Sequence, residues 1–513
     1  MKKITAVWLL AFIILVGIGL RSWELTARSL WFDEAFSWRL IQFPWATMIE
    51  RAAADVHPPL YYIVLKTWGT IFGTSLFALR FFSVLAAGAT LALAYLFTAY
   101  AFRTRAAGLL AAALLALAGF QIQFAQEARM YTLGTALALL SSWLLLHALR
   151  ARPERLSWWL GYGVATAAFA GIHYYALFSI AAQVLFIIVY LCIATRGRIG
   201  EILQWRLTWY TGLAGIVSLS LYAIWIPTFL RQNAQVQDAY WIPKIGGWSI
   251  PDTAYRMLMP TPGIPPHQGA LAITVALLPL AAVLLGWLLL GLTDRNPQRR
   301  SRDASWLVVL SGLIPFLCSI GVSLFTQSLY QDRFFVFAHV YIIIGLAALL
   351  WRVRPRPLAL GLIIVTLAGF GAATYLFWQE LNITARPGAH AAARAVFSER
   401  QESEAVVVSS PFVFFAIDHY AQEEFMSRGV PKLYTEDSNL LHFAGGPILK
   451  EEDIVGPVVF QAADPSSLWV VDTTGFGGVP LVLPSPWVKV SQQNFLEVFG
   501  YQGEVIVSRY RRQ

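Results

Sequence analysis

Long apolar runs recur along this chain and constrain it more than any other feature. A run of about 20 apolar residues makes a helix as long as the hydrocarbon core of a bilayer is thick. Such runs stand at 4–20, 77–100, 106–120, 131–149, 158–172, 176–194, 207–226, 270–292, 305–325, 335–350 and 358–377, about eleven spans when short or broken runs are counted. With 57% hydrophobic and only 13% charged residues among 513, the chain reads as a polytopic α-helical membrane protein. Its 20 Trp, 20 Tyr and 33 Phe suit aromatic belts at the two membrane interfaces, where a ring is half apolar and half wet.

The arginines orient the spans. Lys2 and Lys3 precede the first run, and Arg21, Ser22 and Trp23 follow it in place of a small-residue cleavage site, so an uncleaved first span with a cytoplasmic N-terminus is expected. Arg103 and Arg105, then Arg150, Arg152 and Arg155, then Arg196 and Arg198, then Arg295, Arg299, Arg300 and Arg302, then Arg352, Arg354 and Arg356 fall on alternate loops. The positive-inside rule makes those loops cytoplasmic, in a plasma or inner membrane, and leaves the C-terminal tail outside. They also account for the net charge of +9 without nucleic acid as a partner, and no nucleic-acid fold signature occurs. Cys192 and Cys318 both lie within apolar runs and read as small core residues, not as a disulfide framework.

Two domains are expected: membrane-embedded residues 1–378, with a first outer loop at 21–76, and an extracytoplasmic α/β domain at 379–513. In the second, charges and Gly-Pro turns surround short β-branched runs at 405–409, 468–472 and 504–508. Asp418 and His419 lie after the first of these runs; an isolated Asp-His pair reads as a surface helix sooner than as a catalytic dyad.

The chemistry-bearing residues gather at the ends of spans on the outer side. LWFDEAFS in the first outer loop holds Asp33 and Glu34. Carboxylates beside a bilayer lose solvation unless they face water, a cation or a substrate, although acids in the first turn of a short helix are also favoured by its dipole. After this pair Phe36, Trp38, Leu40, Ile41, Trp45 and Met48 are interspersed with Arg39, Glu50 and Arg51, the pattern of a helix lying flat in the interface. HPPLYYIVLKTWGTIFG follows, in which His57 and Lys66 would offer cations at headgroup level, and the run 60–72 is too short to span. In QEARMY, Glu127 and Tyr131 are spaced i, i+4 and Gln126 and Arg129 i, i+3, two polar faces if the stretch is helical. Arginines are disfavoured on the outer side, so Arg80, Arg129 and Arg333 want partners: anionic substrate groups, Glu127 or Asp332. His173 ends another span with Tyr174 and Tyr175. With no second histidine close in sequence it is a belt histidine sooner than a metal ligand, and it stays a candidate substrate contact. No P-loop, GxSxG, HExxH or paired CxxC occurs.

WFDEA, HPPLYYIVLKTWGTIFG, FALRFFSVLAAGATLALAYLF and QEARMYTL, in this order, resemble the N-terminal half of the GT-C superfamily of membrane glycosyltransferases. The resemblance is nearest to the protein O-mannosyltransferase-like branch that also holds the aminoarabinose transferases acting on lipid A, and HYY and YQDRFF echo it more loosely. It implies an inverting transferase that takes a sugar from a polyprenyl-monophosphate donor and gives it to an envelope acceptor, whether protein, lipid or polysaccharide, on the outer side. Asp33 then matches the general base, with Glu34 orienting it or helping with a cation. Arg129, His57, Arg333 and Arg80 are the donors available to the lipid phosphate, and Tyr131 and Tyr330 could meet phosphate or sugar. Glu127 and His173 complete the candidate substrate contacts. The aminoarabinose branch has a lysine preceded by an acid before the Pro-Pro pair, where this chain has Val56 and His57. That departure leaves a divalent metal unassigned and argues against pairing this chain with aminoarabinose and lipid A.

A transporter and a non-catalytic envelope assembly protein are the rival classes. A transporter would collect polar residues near the midplane of the membrane, whereas here they cluster at one interface.

Overall fold

The computed structural model describes residues 3–260, 286, 299–426, 429–436, 440–460 and 467–512. Among these, eight helices are long and apolar enough to cross a membrane, or nine if one bent pair counts as a span. The expected span at 270–292 lies outside the described residues. That at 158–172 is a helix, Leu156–Ala170, of only 15 residues, and that at 106–120 is the bent pair.

From the N-terminus, α1 (Lys3–Ser22) is the first candidate span; α2 (Phe32–Gln42), α3 (Trp45–Ala54) and α4 (Leu60–Phe72) make up the segment expected as the first outer loop; α5 (Leu76–Ala101) is the next candidate span. The bent pair is α6 (Arg105–Leu117) and α7 (Gly119–Ala125), which meet at 63°. Breaking a helix inside a membrane frees backbone carbonyls that nothing in lipid can satisfy. Here the Arg21 guanidinium donates to the carbonyls of Leu115 (2.9 Å) and Ala116 (3.0 Å), and the Thr374 hydroxyl to that of Leu117 (2.7 Å). The break steers residues 126–130 across the top of the bundle before α8 (Tyr131–Arg150) begins. QEARM is therefore a loop rather than the helical turn expected from its spacing, and its Gln126 amide ties the loop to the carbonyls of Arg21 and Trp23 at the end of α1.

Beyond the last described span, Arg356–Leu381, the chain forms a six-stranded sheet: β1 (Ala405–Val408), β2 (Lys432–Tyr434), β3 (Ile454–Val455), β4 (Ser467–Thr473), β5 (Trp487–Leu496) and β6 (Glu504–Arg512), in the order β3-β2-β1-β4-β6-β5. Strands β1 to β4 pair in parallel; β6 runs antiparallel between β4 and β5. The strands β1 and β4 bury both faces, which is why they read as unbroken apolar runs. β5 is exposed along nearly its whole length and lacks such a signal.

The sheet domain sits on the first outer loop. Helix Pro411–Glu424 packs on α2: Phe32 meets Phe412 edge-on at 5.0 Å and Trp38 meets His419 at 4.8 Å. α2 is consequently buried almost all round, between membrane helices and sheet domain, instead of lying flat in the interface. Arg39 reaches Asp418 at 3.1 Å and Asp453 at 2.8 Å, Ser29 donates to Glu497 at 2.9 Å, and the Leu30 amide donates to the Tyr420 hydroxyl at 2.7 Å. Asp418 and His419 are thus buried docking residues, neither a surface pair nor a dyad. Removing one partner of so buried an ion pair costs about 3–5 kcal/mol.

Candidate active site

Asp33 and Glu34 are neighbours in sequence with opposite surroundings. Successive helical positions point about 100° apart, so one carboxylate faces inward and the other outward. Glu34 is fully buried, and its two oxygens take a fork from Arg80 at 2.8 and 2.6 Å and the Ala128 amide at 2.8 Å. Arg80 spends its remaining donors on the carbonyls of Leu25, Arg28 and Ser29. Burial opposes ionisation of Glu34, but the Arg80 guanidinium outweighs it and holds the carboxyl below its usual range. Glu34 and Arg80 therefore fasten the first outer loop to α5 and to the QEARM loop, and neither lines the cleft beside them.

That cleft holds Asp33. It is lined by Asp33, Asp55, His57, Arg129, Tyr131 and Arg333, together with Tyr240 and Trp241 from a later loop and His442 and Phe443 from the sheet domain; its open and enclosed space comes to about 470 Å³. Arg333 donates to Asp33 Oδ2 at 2.9 Å, and a second guanidinium nitrogen, from Arg129, stands 4.0 Å from the same oxygen. Arg333 lies among the rings of Trp31, Trp241 and Phe334, 5.0–5.7 Å from their centroids, and Arg129 is held by the Asp33 carbonyl and the Ser37 hydroxyl, both at 3.1 Å. Two guanidiniums fixed in these surroundings converge on the cleft beside Asp33, while the second lining carboxylate, Asp55, is turned onto His57; such a pair of guanidiniums suits an anionic ligand.

His57 comes from the turn before Pro58, where the proline holds the chain extended. Its Nδ1 lies 2.8 Å from Asp55 and its Nε2 3.4 Å from Arg129. Asp55 was not singled out from sequence; acid-x-His at the end of a helix that stops before Pro-Pro is the signal that points to it. The carboxylate orients the ring, so that its Nε2 edge is turned to Arg129 and the cleft. His173 lies beneath, its ring 5.8 Å from that of His57. It is buried rather than part of an aromatic belt, and burial, reinforced by His57, Arg129 and Arg333, holds it well below the usual histidine range. Its Nδ1 accepts from the Tyr175 amide at 3.1 Å, so it serves as a neutral floor under His57.

The other candidates lie outside the lining. Glu127 is buried in the QEARM loop; burial, only partly offset by Arg28, pushes its carboxyl up to about 7. Tyr330 packs on Phe335 at 5.0 Å. Lys66 does not face the headgroup level freely: its ammonium caps the end of α2 through the carbonyls of Ile41 (2.6 Å) and Phe43 (2.8 Å). Among the described residues no group of three or more His, Cys, Asp or Glu side chains is placed to hold a metal ion. Val56 precedes His57 where an acid would be needed, and Asp55 is turned onto His57.

Comparison with known proteins agrees with this architecture. Residues 56–225 match the family model described as dolichyl-phosphate-mannose-protein mannosyltransferase. The match takes in His57, Arg80, the QEARM loop and His173 and starts after Asp33. No curated protein sequence matches the chain. Among solved structures, ArnT from Cupriavidus metallidurans in the apo state is similar over 98% of both chains at 13% identity, with a TM-score of 0.63. The same protein bound to undecaprenyl phosphate is similar over 97% of both chains at 13% identity, with a TM-score of 0.58. The likeness covers the sheet domain as well as the spans, and the resemblance to GT-C glycosyltransferases holds at the level of the fold.

Proposed function

We propose that this chain, which has the fold of the GT-C membrane glycosyltransferases, is an inverting glycosyltransferase that moves a sugar from a polyprenyl-monophosphate donor to an envelope acceptor. The observation that carries this reading is the pairing of one partly solvated carboxylate, Asp33, with two fixed guanidiniums, Arg129 and Arg333, in a single cleft. The similar ArnT structure bound to undecaprenyl phosphate supports a lipid phosphate as the anion. By the distribution of arginines the cleft faces the outer side of the membrane.

In this mechanism an acceptor hydroxyl gives its proton to Asp33 as its oxygen bonds to the anomeric carbon. The bond between that carbon and the phosphate oxygen breaks, and its electron pair leaves with the lipid phosphate. Arg129, Arg333 and His57 stabilise the charge that develops there, and Tyr131 lines the path between them. In the free protein Arg333 is bound to Asp33, and a guanidinium so placed competes for the lone pair that the acceptor proton needs. An arriving phosphate draws Arg333 towards itself and releases the base, so that Asp33 is ready only when donor is present. Attack opposite the departing phosphate inverts the anomeric configuration. Glu34 and Arg80 act by holding Asp33 in place.

The test is transfer itself. Purified full-length protein reconstituted in sealed lipid vesicles is given radiolabelled polyprenyl-phosphate sugars, one at a time, with an envelope extract. Label reaching the extract with release of polyprenyl phosphate is expected for at least one donor; movement of donor across the bilayer without its consumption would make the protein a transporter.

A further inference from the structure

The cleft is not built by the membrane domain alone. His442 and Phe443, from the sheet domain, line it together with Arg129 and Arg333, more than 400 positions after Asp33 in the sequence. The segment that carries them is fixed by the first outer loop itself. Arg51 of α3 donates to the carbonyls of Pro447 (2.7 Å) and Leu449 (2.9 Å) just beyond it, and its guanidinium lies 4.1 Å over the Phe43 ring. At Gly445 the chain turns with φ +83°, and a Cβ there would come within 2.5 Å of the Phe415 ring, so the segment turns tightly against the docking helix Pro411–Glu424. The same loop that positions Asp33 therefore positions His442.

His442 lies almost parallel to Tyr240, with ring centroids 6.3 Å apart and planes at 11°. Its side chain is 7% exposed, and its Nε2 makes no hydrogen bond within the described residues. A buried polar atom without a partner costs about 1–3 kcal/mol, so a lining group of this kind points to something that fills the cleft. Burial keeps the imidazole below its usual pKa and hence neutral at pH 7, with one N–H to donate. In the function proposed above the phosphate meets Arg129, Arg333 and His57, which leaves His442 and Phe443, the lining groups from the sheet domain, without a part in binding the donor. The planar rings of Tyr240, His442 and Phe443 match a molecule whose faces are apolar and whose rim is hydroxylated.

We infer that His442 and Phe443 form the acceptor subsite, in which His442 Nε2 hydrogen-bonds a hydroxyl of a carbohydrate acceptor while the neighbouring rings cover the faces of its sugar. The inference rests on the transferase reading. It makes the sheet domain part of the active site, with His442 a specificity-determining residue of a reaction whose base and phosphate donors lie in the membrane domain.

The experiment uses His442→Phe, which keeps the ring and loses the hydrogen bond, and His442→Gln, which restores a polar group near the same place. Both full-length proteins are assayed in nanodiscs with the glycan and protein fractions of the envelope extract as separate acceptors, and undecaprenyl phosphate binding reports on the donor side. His442→Phe is expected to raise KM for the glycan fraction about tenfold, the loss of one hydrogen bond, with undecaprenyl phosphate binding unchanged and most of the loss recovered in His442→Gln. An unchanged acceptor KM in His442→Phe, or equal damage to undecaprenyl phosphate binding, overturns the subsite. Label reaching only the protein fraction overturns the acceptor class. If the wild type transfers nothing from any donor, it is the transferase reading that fails.

Discussion

Arg333 and Asp33, 300 positions apart in sequence, are joined by a 2.9 Å hydrogen bond at the centre of the cleft. In the proposed mechanism Arg333 has two roles, a restraint on the base in the free protein and a hydrogen-bond donor to phosphate in the complex. Arg333→Gln removes both. Undecaprenyl phosphate binding, measured by titration in nanodiscs, is expected to weaken about 10- to 100-fold, the worth of a charge-assisted hydrogen bond. Arg333→Lys, a point charge without the planar fork, should recover only part of it.

Asp55 holds His57 by Nδ1, so Asp55→Ala frees the ring, whereas Asp55→Asn keeps an oxygen that can accept from Nδ1–H. Undecaprenyl phosphate binding is expected to weaken more in Asp55→Ala than in Asp55→Asn, at an unchanged Tm. Equal loss in both, accompanied by a fall in Tm, would mean that Asp55 acts on the fold alone.

Glu34 and Arg80 are predicted to matter for folding before chemistry. Glu34→Ala strands a buried guanidinium and should cost about 3–5 kcal/mol, read as a fall in Tm of the purified protein. Because the Glu34 carboxyl is held below its unfolded value, the stabilisation is present at neutral pH and disappears as pH falls through the folded pKa. The wild type should therefore lose this advantage over Glu34→Gln in acid.

Glu127 works in the opposite sense. Its carboxyl is pushed up to about 7, so between the unfolded pKa and 7 the folded protein binds more protons than the unfolded chain, and stability falls as pH rises through that window. Glu127→Gln removes the titration, and a Tm series from pH 5 to pH 8 should be flatter than that of the wild type.

Most of the described spans and the sheet at the C-terminal end were legible in the sequence because each rests on local pattern, apolar length or β-branched runs, and the acid pair Asp33 and Glu34 stood out as acids where membranes disfavour them. What was not legible is whatever depends on contact between distant segments. α2 reads as an interfacial helix because Arg39 is interspersed among Phe36, Trp38, Leu40 and Ile41, and only docking of the helix Pro411–Glu424 turns Arg39 into a buried partner of Asp418 and Asp453. QEARM has helical spacing, yet the break between α6 and α7, satisfied by Arg21 and Thr374, makes it a loop. Glu34 and Asp33 are indistinguishable in sequence; the turn of α2 and the depth of Arg80 separate them. His442 needed the fold, since nothing near it in sequence points to Tyr240 or to the cleft.

The most direct measurement of the central claim compares wild type with Asp33→Asn in nanodiscs, each with radiolabelled polyprenyl-phosphate sugar and envelope extract, after equal Tm and equal undecaprenyl phosphate binding have been established. The account predicts transfer by the wild type, with the anomeric configuration inverted, and a loss of about 100-fold or more in Asp33→Asn, as expected when a positioned base is removed. Transfer at the same rate by both proteins would contradict it and leave Asp33 as no more than the partner of Arg333.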